Sequence, residues 1–210
     1  MIDLIHLIEN CRVYGLEDSV KASKYPMSVD MDSCTGEVTE TVKKLAGCAT
    51  GTGHDQFLTG IIAQFDLTFS IKAWVEAERY HFLDFVSSQS TMHRIASMDF
   101  DRRCNVFVTQ AAIDNVKRLA DAYNAEPTPF NYLSLLYNVP VGFRLTARIT
   151  TNYRQLKTIY RQRKDHRLPE WRAFCEWIKG LPHSEFITGK DDNNGKAEAD
   201  HKDRESDSDR

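Results

Sequence analysis

Residues 141–149, VGFRLTARI, set Val141, Phe143, Leu145, Ala147 and Ile149 on one side of an extended chain and Gly142, Arg144, Thr146 and Arg148 on the other. Side chains of a strand alternate between faces, so this reads as a half-buried strand with one apolar and one polar, cation-bearing side. Pro140 opens it, and Thr150, Thr151 and Asn152 close it with the short, oxygen-bearing side chains that cap helix N-termini. The strand is therefore expected to pass directly into a helix. Residues 64–70, QFDLTFS, repeat the alternation, with Phe65, Leu67 and Phe69 opposite Gln64, Asp66, Thr68 and Ser70. Together these segments predict an α+β fold, a largely antiparallel sheet with packed helices.

Helical spacing is found over residues 36–45, where the glycines of AGCATGTGHD should stop it. A second helix is predicted over 72–86, which lacks Gly and Pro and ends at the polar run SSQST, and its Tyr80, Phe82 and Phe85 read as a core stripe. A third covers 111–123, where Ile113, Val116, Leu119, Ala120 and Tyr123 recur at three and four residues. Pro127 and Pro129 then punctuate the chain before the short apolar segment YLSLLY. The N-terminal segment is weakly patterned, with a brief apolar run around residues 13–16.

A length of 210 residues fits one domain. Residues 184–210 hold nine Asp/Glu and five Lys/Arg, with Phe186 and Ile187 as almost their only apolar side chains. The expected division is a single domain over 1–183 and an acidic, disordered tail over 184–210. No run approaches the roughly 18 apolar residues of a membrane span, and the N-terminus lacks a leader pattern, so a cytoplasmic protein is expected. The five cysteines are dispersed with no C-x-x-C pair, which predicts free thiols. His81 and His93 lack a third ligand at metal spacing, and no metal site is predicted.

The segment 151–172, TNYRQLKTIYRQRKDHRLPEWR, concentrates seven Lys and Arg in a chain of net charge −3. On a 3.6-residue period Asn152, Leu156, Ile159 and Arg163 share a face, Arg154, Thr158 and Arg161 lie opposite, and Lys157 and Lys164 fall between. Arg163 thus sits among apolar residues. The residues alone leave two readings open: Arg163 snorkels or pairs with a carboxylate, or it faces a ligand. A nucleic-acid polymer is disfavoured because the body over 1–183 is close to neutral and few aromatics interleave with the cations.

At this point the sequence resembles the flavin-dependent thymidylate synthases. The likeness runs from about residue 53 to 178 and rests on N-x-R-x-L-x-x-x-x-x-x-R, met by Asn152, Arg154, Leu156 and Arg163. It rests also on Pro140 twelve residues before Asn152, on H-x-x-x-E at His166, and on His54 in GHDQF ahead of the strand and TFSIKA. The family signature R-H-R-x-x-S-x-N-E-x-S-x-R falls on FLDFVSSQSTMHR, residues 82–94, keeping Ser87 and Arg94 with Gln89 for Asn. Phe82, Leu83 and Asp84 stand in place of R-H-R, Ser90 in place of Glu and Met92 in place of the second Ser; a register two residues earlier matches His81 and Ser90 and loses Arg94. The nucleotide-binding Arg expected near Leu136 is missing.

The resemblance implies methylation of dUMP to dTMP with FAD, reduced nicotinamide (NADPH) and methylenetetrahydrofolate, in a homotetramer with shared sites. It assigns His54, Gln56, Asn152, Arg154 and Thr158 to FAD. It assigns Arg79, Gln89, Ser90, Arg94 and Arg163 to the nucleotide, with Arg163 the catalytic candidate because a positioned guanidinium stabilises charge on a pyrimidine edge. The altered signature leaves two further readings: another one-carbon modification of a deoxypyrimidine nucleotide, or a non-catalytic binding or assembly protein that kept the fold.

Overall fold

The computed structural model describes residues 7–189. One antiparallel sheet has the order β1-β2-β4-β3, with β1 at Ile8–Tyr14, β2 at Ile62–Ser70, β3 at Leu83–Ser88 and β4 at Arg144–Asn152. The helices in chain order are α1 (Leu16–Ala22), α2 (Glu40–Gly47), α3 (Ile71–Ala77), α4 (Thr91–Arg94), α5 (Phe100–Arg103), α6 (Gln110–Ala125), α7 (Pro129–Tyr137), α8 (Tyr153–Arg163), α9 (Pro169–Ile178) and α10 (Glu185–Thr188). The α+β architecture expected from the alternating segments is the one observed.

The central ladder pairs β2 with β4 without a break, from Ile62 opposite Asn152 to Ser70 opposite Arg144. Its apolar face carries Ala63, Phe65, Leu67 and Phe69 from β2 and Ala147 and Ile149 from β4, all buried. Helix α9 covers that face: Phe65 packs 4.7 Å from the Trp177 ring and Phe69 4.9 Å from the Trp171 ring. Each such phenyl contributes about 1.5 to 3 kcal/mol when fully buried. A second cluster gathers Ile95, Phe100, Ile113, Val116, Leu135 and Phe143, closing α5, α6 and α7 over the start of β4.

The joint between β4 and α8 forms as its sequence dictates. Asn152 is extended (φ −127°, ψ 164°) and its side-chain oxygen accepts from the Gln155 N–H at 2.8 Å. Threonine caps start α2, α6 and α7 in the same way, through Thr39, Thr109 and Thr128. The apolar segment YLSLLY belongs to α7, entered through Pro129 in its first turn.

Two expectations are corrected. The helix predicted over 72–86 ends at Ala77, and 83–88 form the edge strand β3, pairing Phe85 with Ile149. Tertiary pairing overrides the local helix signal here, because Tyr80 and Leu83 turn inward and carry the chain onto β4. Phe82 and Phe85 are consequently 60% and 49% exposed, and only Tyr80 of the predicted stripe is core. The weakly patterned N-terminal segment holds both β1, opposite β2, and α1.

The domain boundary also moves. Residues 184–189 belong to the fold, since Phe186 and Ile187 on α10 are each 1% exposed and Phe186 meets the Phe57 ring edge-on at 5.9 Å. The acidic segment from 190 onward lies outside the described residues. Among the described residues no helix is long and apolar enough to cross a membrane. Phe186→Ala is expected to lower the unfolding free energy by about 3 to 5 kcal/mol in urea denaturation, as for a core aromatic; a change under about 1 kcal/mol would place the folded unit's end at 183.

Candidate functional site

Helix α8 leaves the sheet with its cations arranged around a carboxylate that its own sequence does not contain. Asp55, in the turn before β2, is fully buried. Its Oδ1 accepts from Arg154 Nε at 3.1 Å and its Oδ2 from Lys157 Nζ at 2.9 Å. Lys157 donates further to the carbonyls of Ala46 and Cys48, both at 2.6 Å, so one ammonium ties the end of α2 to α8. Lys157 is 1% exposed, as buried as any apolar residue of the helix. The helical wheel set it on the flank, and the 46–55 segment is what covers that flank. Burial pushes the ammonium below the usual lysine range, and Asp55 pulls against that shift.

Arg154 also donates to Gln56 Oε1 at 3.0 Å, while its backbone carbonyl accepts from the Thr158 hydroxyl at 3.3 Å. The structure thus brings Gln56, Arg154 and Thr158 together at the start of α8, beside the Asn152 cap, with His54 exposed in the adjoining turn. Two of the five guanidinium N–H groups of Arg154 are engaged; the others have no partner among the described residues, and the side chain is 25% exposed.

Arg163 lies inside the subunit. Its guanidinium carbon is 4.9 Å from the Trp171 ring centre and 5.5 Å from that of Tyr80, a cation held between aromatic faces. Nε donates to the Tyr80 hydroxyl at 2.7 Å and Nη1 to Glu76 Oε2 at 3.0 Å. His166 joins this group: the Leu168 N–H lies 3.2 Å from Nδ1, and Nε2 lies 3.3 Å from Glu76 Oε2 and 2.7 Å from Arg163 Nη1. Burial and then Arg163 hold His166 below the usual histidine range against the pull of Glu76. For Glu76, burial raises the carboxyl, but Lys72, His166 and Arg163 together outweigh it and leave the group below its usual range.

A separate groove of about 800 Å³ opens where β3, α4, α5 and β4 meet. Gln89, Ser90 and Arg94, which the resemblance assigned to the nucleotide, line it together with Arg102, Arg103 and Arg144. Arg94 and Arg102 have no hydrogen-bond or ion-pair partner for their guanidiniums among the described residues. Arg144 donates to the carbonyls of Arg102 at 2.9 Å and Arg103 at 3.3 Å, capping the end of α5. Asp99 caps the start of α5 through the Arg102 N–H at 3.1 Å. The segment after α5 is pressed onto the chain just ahead of β4 at Gly142, where an added Cβ would stand 2.5 Å from Val108 Cγ2 and 2.9 Å from Asn105 Oδ1. Glu9 and Asp99 are the carboxylates on the rim, against four guanidiniums. The groove is a donor-rich cradle for an anion.

Arg79 is exposed beyond α3 and lines neither this groove nor the Arg154 cluster, and Arg163 lies apart from both. Arg102 and Arg103 carried no sequence signal, for they sit in a four-residue helical turn outside any motif. Arg144 did carry one, as a cation on the outer side of the alternating strand. The thiols offer no activated nucleophile at Cys11, Cys104 or Cys175: burial raises all three, Cys175 to about 12.

No family model matches the chain, and no curated protein matches it. Solved structures do. The fold is that of the flavin-dependent thymidylate synthases: the ThyX enzyme of Helicobacter pylori complexed with FAD and dUMP superposes with a TM-score of 0.68 over 86% of this chain and 97% of that one, at 14% identity. A second structure of the Helicobacter pylori enzyme with FAD and dUMP gives a TM-score of 0.68 at 14% identity, covering 85% and 97% of the two chains.

Two outcomes follow from the buried cations. Lys157→Ala leaves Asp55 and two carbonyls without a buried donor and is expected to cost about 3 to 5 kcal/mol of stability by denaturant titration; an effect within about 0.5 kcal/mol would make Lys157 a surface cation. Glu76 and His166 both bind protons more readily in the unfolded chain, so stability falls as pH drops below 6.5 and again below 4.5, their ordinary values. In thermal melts against pH, the margin of wild type over Glu76→Gln should be full above about pH 5 and shrink below it; a margin independent of pH would mean that Glu76 is not held ionised by its partners.

Proposed function

We propose that this chain is a flavin-dependent thymidylate synthase-like enzyme, binding dUMP in the groove between β3 and α5 and FAD beside the start of α8. The observation that carries the reading is the groove: Arg94 and Arg102 stand without partners beside Gln89 and Ser90, in a fold shared with an enzyme whose structure holds FAD and dUMP. A phosphomonoester has acceptor oxygens only, and guanidiniums hold it in bidentate fashion. Arg102 and Arg144 supply, from α5 and β4, cations that the segment near Leu136 lacks.

The residues at the start of α8 fit an acceptor-rich cofactor. Arg154 keeps free N–H groups on a side chain whose position Asp55 and Gln56 fix, and a pre-set guanidinium loses little freedom on binding. His54, Gln56, Asn152, Arg154 and Thr158 would hold FAD there, which when bound supplies hydride transfer. The one-carbon donor in this reading is methylenetetrahydrofolate and the reductant NADPH. Arg163 contributes by tying α3, α8 and α9 into one body, with Nε and Nη1 both engaged inside the subunit. A homotetramer is supported by the edge strand β3, where Phe85 and Val86 with the preceding Phe82 lie 49 to 60% exposed.

One observation favours a binding protein that kept the fold: Phe82, Leu83 and Asp84 offer no cation where the family signature has R-H-R. A one-carbon modification other than methylation would use the same groove. Purified protein reconstituted with FAD is expected to absorb near 450 nm in a saturable manner that Arg154→Ala weakens. Arg94→Ala and Arg102→Ala should each weaken dUMP binding about tenfold or more, while Arg79→Ala leaves it within about twofold. Turnover of dUMP absent alongside intact FAD and dUMP binding would select the binding protein; equal dUMP affinity in all three Arg variants would remove the groove from the nucleotide site.

A further inference from the structure

Gln89 is held more tightly than an exposed groove residue requires. Its backbone N–H donates to the Thr146 carbonyl at 2.9 Å, extending β3 along β4 by one rung. Its side-chain Oε1 accepts twice, from the Thr146 N–H at 3.0 Å and from Arg103 Nη1 at 2.8 Å. Both of these partners are obligate donors, so the oxygen must face them, and the orientation of the amide follows from chemistry. Both acceptor sites of the oxygen are then filled. What Gln89 has left is the NH2 group, two donors with no acceptor among the described residues, on a side chain that lines the groove.

Arg103 is itself anchored. The same Nη1 lies 3.3 Å from the Arg144 carbonyl, and the Arg103 carbonyl accepts from Arg144 Nε at 3.3 Å, so the two arginines clasp each other across α5 and β4. Just ahead of β4, the Gly142 carbonyl accepts from the Asn105 N–H at 3.0 Å and fixes the segment that leaves α5. An amide free to turn can offer a ligand either its oxygen or its nitrogen. This one cannot, because turning it would set the NH2 against Arg103 and the Thr146 N–H.

We infer that Arg103 and the Thr146 N–H lock the Gln89 amide so that it presents only N–H donors to the groove, making Gln89 a direct ligand of the phosphate group and Arg103 its positioning residue. This rests on the nucleotide reading above and deepens it by naming the group that the groove selects. Gln89, Arg94 and Arg102 then present donors from one part of the wall, which suits a phosphate dianion, while the acceptors Glu9 and Asp99 line the groove elsewhere. The lock matters because Gln89 loses no rotational freedom when the ligand arrives.

The test uses the full-length protein with dUMP, inorganic phosphate and deoxyuridine as calorimetric probes. Gln89→Met, close in shape and without donors, is expected to weaken dUMP and phosphate about tenfold, and Gln89→Glu more than that, with deoxyuridine unchanged. Gln89→Glu keeps acceptors for Arg103 and the Thr146 N–H, so its melting temperature should match wild type. Arg103→Lys, which still donates to Oε1, should hold dUMP affinity within about threefold.

Gln89→Met equal to wild type for phosphate, or equal losses for dUMP and deoxyuridine, would overturn the assignment of Gln89 to the phosphate. A tenfold loss in Arg103→Lys would make Arg103 a direct ligand and overturn its positioning role. Wild-type protein that binds phosphate, weakened by Gln89→Met, but not dUMP would support this inference and sink the nucleotide reading. Binding of dUMP that Gln89→Met leaves intact would do the reverse, and binding of neither probe would sink both.

Discussion

The uninterrupted ladder between β2 and β4 is the constraint from which the rest of the structure follows. Its nine pairs run from Ile62 opposite Asn152 to Ser70 opposite Arg144, and each end of β4 has a chemical task. At one end Asn152 turns the chain into α8 through its cap; at the other Arg144 reaches α5 and clasps Arg103. Because side chains alternate along β4, the same residues that bury Ala147 and Ile149 send Arg144, Thr146 and Arg148 to the opposite face. A slip of one residue would reverse both faces at once, burying the arginines and exposing the core. The groove and the helix are therefore set by one register.

Two buried cation clusters then hold the helices on this sheet. Lys157 with Asp55 fixes α2 and the turn before β2; Arg163 with Glu76, Tyr80 and Trp171 fixes α3 and α9. Buried ion pairs add little net stability, since desolvation offsets attraction, but breaking one is expensive. Their effect is specificity of placement. Asp55 satisfies Lys157 and Arg154 together, so the position of the one partly exposed guanidinium at the start of α8 depends on a carboxylate 99 residues earlier in the chain. The Arg163 cluster serves a comparable role at the far end of α8, with a histidine whose protonation the surrounding cations oppose.

The likeness to ThyX extends over nearly all of that enzyme yet rests on 14% identity, a level at which topology persists and site chemistry must be argued from the residues present. Here those residues depart in a consistent direction. Cations are absent where the family signature has R-H-R, and they are present instead on α5 and β4, gathered at one groove. An anion site can be rebuilt from neighbouring elements because a phosphate asks only for donors at suitable distances, and guanidiniums on long side chains reach it from several backbone positions.

Local patterns were sufficient for the elements whose signals lie within a few residues. The alternation in 64–70 and in 144–149, the cap chemistry at Asn152, and the periodicity of 111–123 each correspond to one backbone geometry, whereas Val141, expected on the apolar side of the strand, lies in a turn ahead of it and is 63% exposed. The sequence also marked Arg163 as a cation among apolar residues. Tertiary structure alone decided the rest. Residues 83–88 became a strand because β4 offered an unpaired edge, Lys157 was buried because the 46–55 segment folds over its flank, and Phe186 and Ile187 joined the core despite their acidic surroundings. Arg102 and Arg103 entered the groove through α5, whose following segment packs against Gly142. In each case the deciding partner is distant in the chain, and hydrogen-bond pairing, burial of apolar surface and charge compensation depend on which surfaces meet in space, which periodicity within a segment does not encode.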